Sequence, residues 1–109
     1  MPKYHWQVSY TPQGAQGLKQ DGGTARRTAV QKLLEQSGGK LESFYFALGD
    51  SDAFIVADLP DAAAVMAISL AVSASGAARV RTSLLMSPEE MDAVARKTVD
   101  YRPPGAGGK

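Results

Sequence analysis

Two short segments of the chain carry polar side chains at every second position. One contains the only histidine, His5, followed by Gln7 and Ser9, and the other contains Arg79 and Arg81. A spacing of two puts such residues on one face of a β-strand. An imidazole can act as a general base, and paired guanidinium groups bind carboxylates, phosphates or enolates. These residues are therefore the first candidates for a site that holds an anion.

The residue types exclude several other kinds of site. The 109 residues include no cysteine, which removes disulfides, zinc–thiolate centres and cysteine nucleophiles. A transition-metal site usually takes several histidine or cysteine ligands, and one histidine cannot supply them. We therefore predict no metal and no cofactor.

A pair of aspartates lies in Gly49-Asp50-Ser51-Asp52, between two apolar segments. Such a pair could bind a metal or act as an acid and a base, but the further ligands and the glycine of a calcium loop are missing. Gly, Asp and Ser between two strands are typical of a turn. We interpret this segment as a hairpin turn in which the aspartates accept hydrogen bonds from backbone N–H groups and fix the strand register.

Four segments have the composition of β-strands, and these strands must position the candidate residues. They are "KYHWQVSY" (3–10), "KLESFYFAL" (40–48), "AFIVADL" (53–59) and "ARVRTSLL" (78–85). In the first, Tyr4, Trp6 and Val8 alternate with the polar set, as expected for a half-buried strand. The third is apolar on both faces, which is typical of a central strand.

The second strand is predicted to have two different faces. Alternation assigns Phe44, Phe46 and Leu48 to the face that packs on the core. The opposite face then holds Leu41, Ser43, Tyr45 and Ala47.

The segment before the second strand is predicted to form a helix over 24–39. Thr24 is the expected N-cap, and Ser37-Gly38-Gly39 is the expected end. The inward stripe is Ala29, Val30, Leu33 and Leu34. The glycine-rich residues 13–23 before it are expected to form a short helical turn and a loop.

Two further helices are predicted. Asp61 is the N-cap of the first, which runs to about Ala74 and ends at Gly76. It is apolar on every side over 62–70, which predicts burial against a second subunit. The last helix covers 87–101 and begins with a capping box and a proline; its expected inner stripe is Met91, Val94, Ala95 and Thr98.

The resulting order, β-α-β-β-α-β-α, is typical of a ferredoxin-like fold. We therefore predict an α+β protein with a four-stranded antiparallel sheet and helices on one face. Residues 1–101 form one domain in this prediction, and residues 102–109 form an extended or disordered tail.

Short matches along nearly the whole chain resemble the GYD-domain family. They are "MPKY" (1–4), "SYT" (9–11), "ARR" (25–27), "GGKLESFYFALGDSD" (38–52), "SLAVSASGA" (69–77) and "VDYRPPG" (99–105). The family usually has an aromatic residue before the aspartate of its namesake hairpin, where this chain has Ser51. The family is similar to dimeric α/β-barrel proteins, so the resemblance implies protomers that pair through their open sheet faces.

The fold implied by the resemblance places the first strand beside the fourth. The open face would then bring His5, Gln7 and Ser9 opposite Arg79, Arg81 and Ser83, with Tyr45 on the same face. One interpretation is a ligand site for a small anion, in which His5 is also a weak candidate for a catalytic base. The other is a polar oligomer interface in which the arginines pair with acids of a neighbour, such as Glu42 or Asp58.

Arg26 and Arg27 lie close to a predicted helix start, where positive charge opposes the helix dipole. An anion bound beside Gly22-Gly23-Thr24 would relieve this conflict. An ion pair with Asp92 or Asp100 would relieve it without any ligand.

The composition limits the partners. Twelve basic and eleven acidic residues give a net charge of +1, which is too small to indicate binding to nucleic acid or to an anionic membrane. The longest near-apolar segment (62–72) is far shorter than the roughly 20 residues of a membrane span. We expect a cytoplasmic homo-oligomer that binds neither nucleic acid nor membrane.

Three functional hypotheses follow. The first is a non-enzymatic binding or regulatory module that holds a small anionic ligand. The second is a cofactor-independent oxygenase or isomerase of the dimeric α/β-barrel type, with His5 as base and Arg79 and Arg81 stabilising an oxyanion. The third is a structural protein that assembles through its apolar helix.

Overall fold

Alternating burial in strand β1 (Lys3–Tyr10) sets the two faces of the sheet. In the computed structural model, which describes residues 1–105, Tyr4, Trp6 and Val8 are buried and the residues between them are half-buried. The other strands are β2 (Lys40–Phe46), β3 (Ala53–Asp58) and β4 (Ala78–Leu85). The helices are α1 (Pro12–Asp21), α2 (Gly23–Gln36), α3 (Ala62–Ser75) and α4 (Pro88–Ala95).

The sheet has the order β2-β3-β1-β4, and each neighbouring pair is antiparallel. This confirms the predicted α+β class and the four-stranded antiparallel sheet. It also confirms that the first strand lies beside the fourth. The order is consistent with the ferredoxin-like pattern.

The core lies between one face of the sheet and helices α2 and α3. The buried residues of β1 pack with Leu34 of α2, Ile68 of α3 and Ile55 of β3. Full burial of one such side chain contributes about 1.5–3 kcal/mol relative to exposure. Because both helices cover the same face, the opposite face of the sheet is left open, as the sequence predicts.

Helix α1 is longer than the predicted helical turn. Its N-cap is Thr11, whose hydroxyl accepts a hydrogen bond from the Gly14 N–H, and Pro12 occupies its first position. A Cβ at Gly14 would lie 1.9 Å from the Ala77 carbonyl oxygen. The sequence predicts a helical turn and a loop for this glycine-rich segment, but Gly14 lies within a helix and allows the close contact between α1 and Ala77.

Helix α2 begins earlier than predicted and ends at the predicted residues. Its N-cap is Gly22 rather than Thr24, and its C-cap is Ser37. Gly22 has φ 87° and ψ 166°, a conformation that glycine adopts without strain, and it lets α1 pass directly into α2. Leu34 is buried as expected, whereas Ala29 is exposed.

A β-bulge changes the faces of β2. Leu41 pairs with Ala57 and Ser43 pairs with Val56, so Glu42 is the extra residue of this strand. The bulge turns Leu41 toward the core, where it packs against buried residues. The strict alternation predicted for this strand is therefore wrong at its first residues. The strand also ends at Phe46, and Leu48 is fully exposed in the following turn.

The predicted caps of α3 are confirmed. Asp61 accepts a hydrogen bond from the Ala64 N–H at 2.9 Å, and the helix ends at Gly76 in the left-handed conformation. Val65 and Ile68 pack on the core. On the outer side, Met66 and Leu70 are 68% and 70% exposed, so this helix keeps an apolar outer surface.

Helix α4 has the predicted start but not the predicted end or packing. Ser87 and Glu90 form the capping box, with Pro88 at the first position. The helix stops at Ala95, before Thr98 of the expected inner stripe, and each of its residues is exposed. The Cα radius of gyration is 17.8 Å, against about 13 Å for a compact chain of this size. This helix therefore stands away from the sheet and its covering helices.

The predicted C-terminal tail is described only in part. Residues 102–105 are exposed, and residues 106–109 lie outside the described residues. Among residues 1–105, none of the helices has both the length and the hydropathy that a bilayer span requires. The cytoplasmic compartment stays a prediction.

Candidate functional site

The register of the sheet brings the candidate polar residues together on the open face. Gln7 lies directly opposite Arg81, and Ser9 lies opposite Arg79. Residues that are opposite in an antiparallel pair point to the same face of the sheet. The predicted contact between the polar positions of the first and fourth strands is thus present, and His5 lies opposite Ser83.

A cavity of about 380 Å³ opens at this end of β1 and β4. Its lining residues are Gln7, Ser9, Tyr10, Thr11, Pro12, Ser51, Arg79, Val80 and Arg81. The lining includes two guanidinium groups and no carboxylate. Its volume falls in the range of small-molecule sites, roughly 300–1,000 Å³. The arrangement is therefore suited to a small anion.

The two arginines of this cavity have no acidic partner within residues 1–105. The acids expected to pair with them from a neighbour are already engaged within the chain. Lys3 contacts both, with its Nζ 2.9 Å from the Asp58 carboxylate and hydrogen-bonded to Glu42. These hydrogen bonds, to Glu42 and then to Asp58, raise the pKa of Lys3. Both acids named in the polar-interface interpretation thus contact Lys3 of their own chain, and that interpretation stays a prediction.

His5 and Tyr45 lie on the open face but do not line this cavity. The His5 ring stacks on Phe54 with ring centres 5.6 Å apart and an interplanar angle of 9°. Tyr45 pairs with Phe54 and is 70% exposed. Three strand spacings separate Tyr45 from Arg81, which is about 14 Å. The five residues predicted to share one site therefore divide into two groups.

The hairpin after β2 closes one side of the cavity. Asp52 accepts a hydrogen bond from the Tyr10 N–H at 2.8 Å and donates its own N–H to the Val8 carbonyl at 2.7 Å. This confirms a backbone-binding role for Asp52, although the partner is β1 rather than the hairpin itself. The contact brings Ser51 to the cavity wall.

The family model described as GYD domain matches residues 4–95, which is most of the chain. The chain belongs to the GYD-domain family. Neither the curated proteins nor the solved structures give a significant match. The matched range contains the sheet except for Lys3 and the complete lining of the cavity, so the candidate site lies inside the GYD domain.

Sequence reasoning missed part of this GYD-domain site. Thr11, Pro12 and Ser51 line the cavity although no pattern marked them as ligand residues. One feature of the sequence could have indicated Ser51 as a lining residue: this chain has a serine where the resemblance implies an aromatic residue. A small side chain at this position leaves the space between the hairpin and β4 open.

The cavity of the GYD domain is lined by side chains that can donate hydrogen bonds. Within residues 1–105, no group of three His, Asp or Glu side chains converges in a way that could hold a metal ion. Guanidinium, amide and hydroxyl groups at the cavity suit carboxylate or phosphate oxygens.

Arg26 and Arg27 are exposed in the first half of α2. Within residues 1–105 neither forms the ion pair with Asp92 or Asp100 that the sequence suggested as an alternative. Helix α4, which carries Asp92, is exposed along its whole length and stands away from the sheet and its covering helices. Arg26 instead lines a second cavity, on the helix-covered face of the sheet.

Proposed function

We propose that this GYD-domain protein is a non-enzymatic binding or regulatory module that holds a small anion between β1 and β4. The observation that carries the proposal is the pairing of Arg79 and Arg81 in one cavity without an acid in its lining. Two like charges placed on neighbouring positions of one strand face repel each other. A bound carboxylate or phosphate offsets that repulsion and accepts hydrogen bonds from both groups.

Neutral donors around the arginines support the same proposal. The Gln7 amide and the hydroxyls of Ser9 and Ser51 line the cavity. These groups can bind the remaining oxygens of a phosphate or of a small dicarboxylate. Their positions on strands and on an anchored hairpin favour a defined geometry for the ligand.

The open face has a second, apolar half that supports self-association. Tyr45, Phe54 and Val56 lie there, with His5 stacked on Phe54. The resemblance to dimeric α/β-barrel proteins implies pairing through this face. In our proposal the apolar half contacts a second copy, while the half with Arg79 and Arg81 holds the ligand. Site and interface then occupy different parts of one surface.

The enzymatic alternative, a cofactor-independent oxygenase or isomerase, requires a base within hydrogen-bond reach of the substrate. His5 is outside the cavity that contains the arginines. The binding proposal accounts for the cavity without a role for His5, and we therefore prefer it.

A structural assembly is favoured by one separate observation. Helix α3 exposes Met66 and Leu70 on a side that carries almost no polar surface. Exposed apolar patches of this kind commonly mark protein contacts. This surface is compatible with the binding proposal, because it lies on the helix-covered side of the sheet.

The proposal is tested by a ¹H–¹⁵N NMR titration of the full chain with inorganic phosphate and with malonate. We expect saturable shifts at Gln7, Ser9, Arg79 and Arg81. The variant Ser51→Tyr should lose these shifts because the ring fills the cavity, whereas Ser51→Ala should keep them.

Two results would overturn the proposal. One is the absence of saturable shifts at β1 and β4 with either probe. The other is an unchanged titration in Ser51→Tyr, provided that its spectrum shows an intact fold.

A further inference from the structure

A second cavity lies on the other face of the sheet, between α2 and α3. Its volume is about 400 Å³. Most of its lining is aliphatic, including Val30 and Leu33 of α2, Ile68 and Val72 of α3, and Ile55 and Val80 of the sheet. Trp6 lies at its floor and is almost fully buried. A cavity with these walls is suited to an apolar group of small-molecule size.

Only one charged side chain lines this cavity within residues 1–105. It belongs to Arg26, which has no acidic partner among the described residues. The two serines of the lining are occupied elsewhere. The Ser69 hydroxyl accepts from the Trp6 indole N–H at 3.3 Å, and the Ser75 hydroxyl donates to the Val72 carbonyl at 2.6 Å. A polar ligand group would therefore be bound at Arg26 and not deeper in the cavity.

Tyr10 lines the same cavity, and the charges of Arg26 and Asp52 act on the pKa of its phenol in opposite directions. Burial raises the pKa of the Tyr10 phenol above its ordinary value. A phenol is protonated at neutral pH even without this shift, so the hydroxyl can donate a hydrogen bond to an anion. Arg26 and Tyr10 together supply a cationic and a neutral donor beside an otherwise apolar space.

We propose that this cavity binds an apolar monocarboxylate, with its acyl or aryl tail between α2 and α3 and its carboxylate at Arg26 and Tyr10. The charge of Arg26 selects an anion, and the aliphatic walls select an apolar tail. This ligand differs from the small polar anion of the open face, because the walls of this cavity are mostly aliphatic and lie under α2 and α3, although both cavities have Tyr10 and Val80 in their lining. The inference does not depend on the function proposed above.

Trp6 supplies a direct measurement, because it is the only tryptophan of the chain and it lines the cavity. Its fluorescence is recorded while hexanoate, octanoate or decanoate is added to the full chain below micellar concentrations. We expect a saturable change in emission. The dissociation constant should fall about fourfold for each added CH₂ group, since each one buries further apolar surface. Decanol should bind more weakly than decanoate.

Matched variants locate the carboxylate. Arg26→Gln should weaken decanoate binding about three- to fivefold and leave decanol binding unchanged. Arg27→Gln, which alters an exposed neighbour that does not line the cavity, should bind decanoate as the unchanged protein does. Both positions are on the surface of α2, so both variants should fold.

Three results would overturn the inference. Trp6 emission could fail to respond to decanoate, or Arg26→Gln and Arg27→Gln could bind it equally well. The affinity for decanoate could also rise as the protein is diluted. That last result would mean that a second copy of the chain covers the cavity.

Discussion

Asp52 connects the β2–β3 hairpin to β1 through one carboxylate oxygen. That oxygen accepts the Tyr10 N–H, next to the backbone bond that Asp52 donates to Val8. The connection holds Ser51 against the cavity wall. Asp50, two residues earlier, is exposed and points to no described partner. The two aspartates are similar in sequence but have different roles in the structure.

Replacement of these aspartates should separate the roles. Asp52→Ala leaves a half-buried backbone N–H without its acceptor, so we expect the free energy of unfolding to fall by about 1–3 kcal/mol. Asp50→Ala should change it by less than about 0.5 kcal/mol. Urea denaturation followed by circular dichroism measures both. Equal effects of the two substitutions would contradict the assignment.

At the scale of elements, two glycines of α1 have opposite surroundings. A Cβ at Gly14 would meet the Ala77 carbonyl oxygen at 1.9 Å, whereas a Cβ at Gly17 would have open space around it. Only Gly14 is required by the contact between α1 and the start of β4. The sequence alone shows two glycines in one short segment and does not distinguish them.

Alanine substitutions provide the test. Gly14→Ala forces α1 away from Ala77, and we expect a loss of about 1–3 kcal/mol of stability. Gly17→Ala should instead add roughly 0.5–1 kcal/mol, because alanine is the better helix former. Thermal and urea unfolding measure the difference. A stabilised Gly14→Ala would show that this contact does not form.

The capping box of α4 makes that helix sensitive to acid. Hydrogen bonds from Ser87, first from its backbone N–H, lower the pKa of Glu90. A carboxyl group with a lowered folded pKa stabilises the helix above its unfolded pKa and loses this effect as the pH falls through the folded pKa. We expect residues 88–95 to lose helical Cα chemical shifts as the pH falls below the ordinary titration range of a glutamate carboxyl group.

A matched pair of variants tests whether the capping box causes this acid sensitivity. Glu90→Gln keeps an acceptor for the Ser87 N–H but does not titrate, so its helical shifts should depend less on pH. Glu89→Gln lies in the same turn outside the box and should behave as the unchanged protein does. Equal acid sensitivity in both variants would remove the capping box as the cause.

These elements show which parts of the fold the sequence predicts. The caps at Asp61 and at Ser87 with Glu90 were predicted correctly, because each depends on residues three apart in one turn. The face of the sheet to which Leu41 points was not predicted correctly. It depends on a bulge at Glu42, which arises from the pairing of β2 with β3. The packing of α4 was also wrong, since an apolar stripe indicates a partner without showing whether the same chain provides it.

In the candidate site, too, local patterns were predicted correctly and tertiary contacts were not. The position of Gln7 opposite Arg81 could be predicted from two things: the alternation of side chains along a strand, and the strand order that the family resemblance implies. Ser51 was not predicted as a lining residue, because it reaches the cavity through the Asp52 contact with β1. Its position depends on a tertiary hydrogen bond that no local pattern encodes.

At the scale of the whole molecule, apolar surface is left on two sides of the chain. The outer side of α3 exposes Met66 and Leu70, and α4 exposes Met91 and Val94 away from the sheet. The elongated shape, with a radius of gyration of 17.8 Å, is consistent with an arm that contacts another molecule. We propose self-association as the reason for these surfaces.

Sedimentation equilibrium tests this proposal. The unchanged protein should have a mass above the 11.5 kDa of one chain. Leu70→Glu, which puts a charge into the apolar surface of α3, should lower that mass. Ser73→Glu adds the same charge at an exposed polar position of this helix and should lower it less. A monomer in all three cases would contradict self-association.

The central claim is that Arg79 and Arg81 hold a small anion on the open face. Its most direct test is a calorimetric titration of malonate into the unchanged protein, Arg81→Gln and Arg27→Gln at one fixed ionic strength. We expect Arg81→Gln to lose about tenfold or more in affinity, since a charge-assisted hydrogen bond contributes about 1.5–3 kcal/mol. Arg27→Gln, on the other side of the sheet, should bind malonate unchanged. Equal affinities in all three proteins, or no binding in any, would contradict the account.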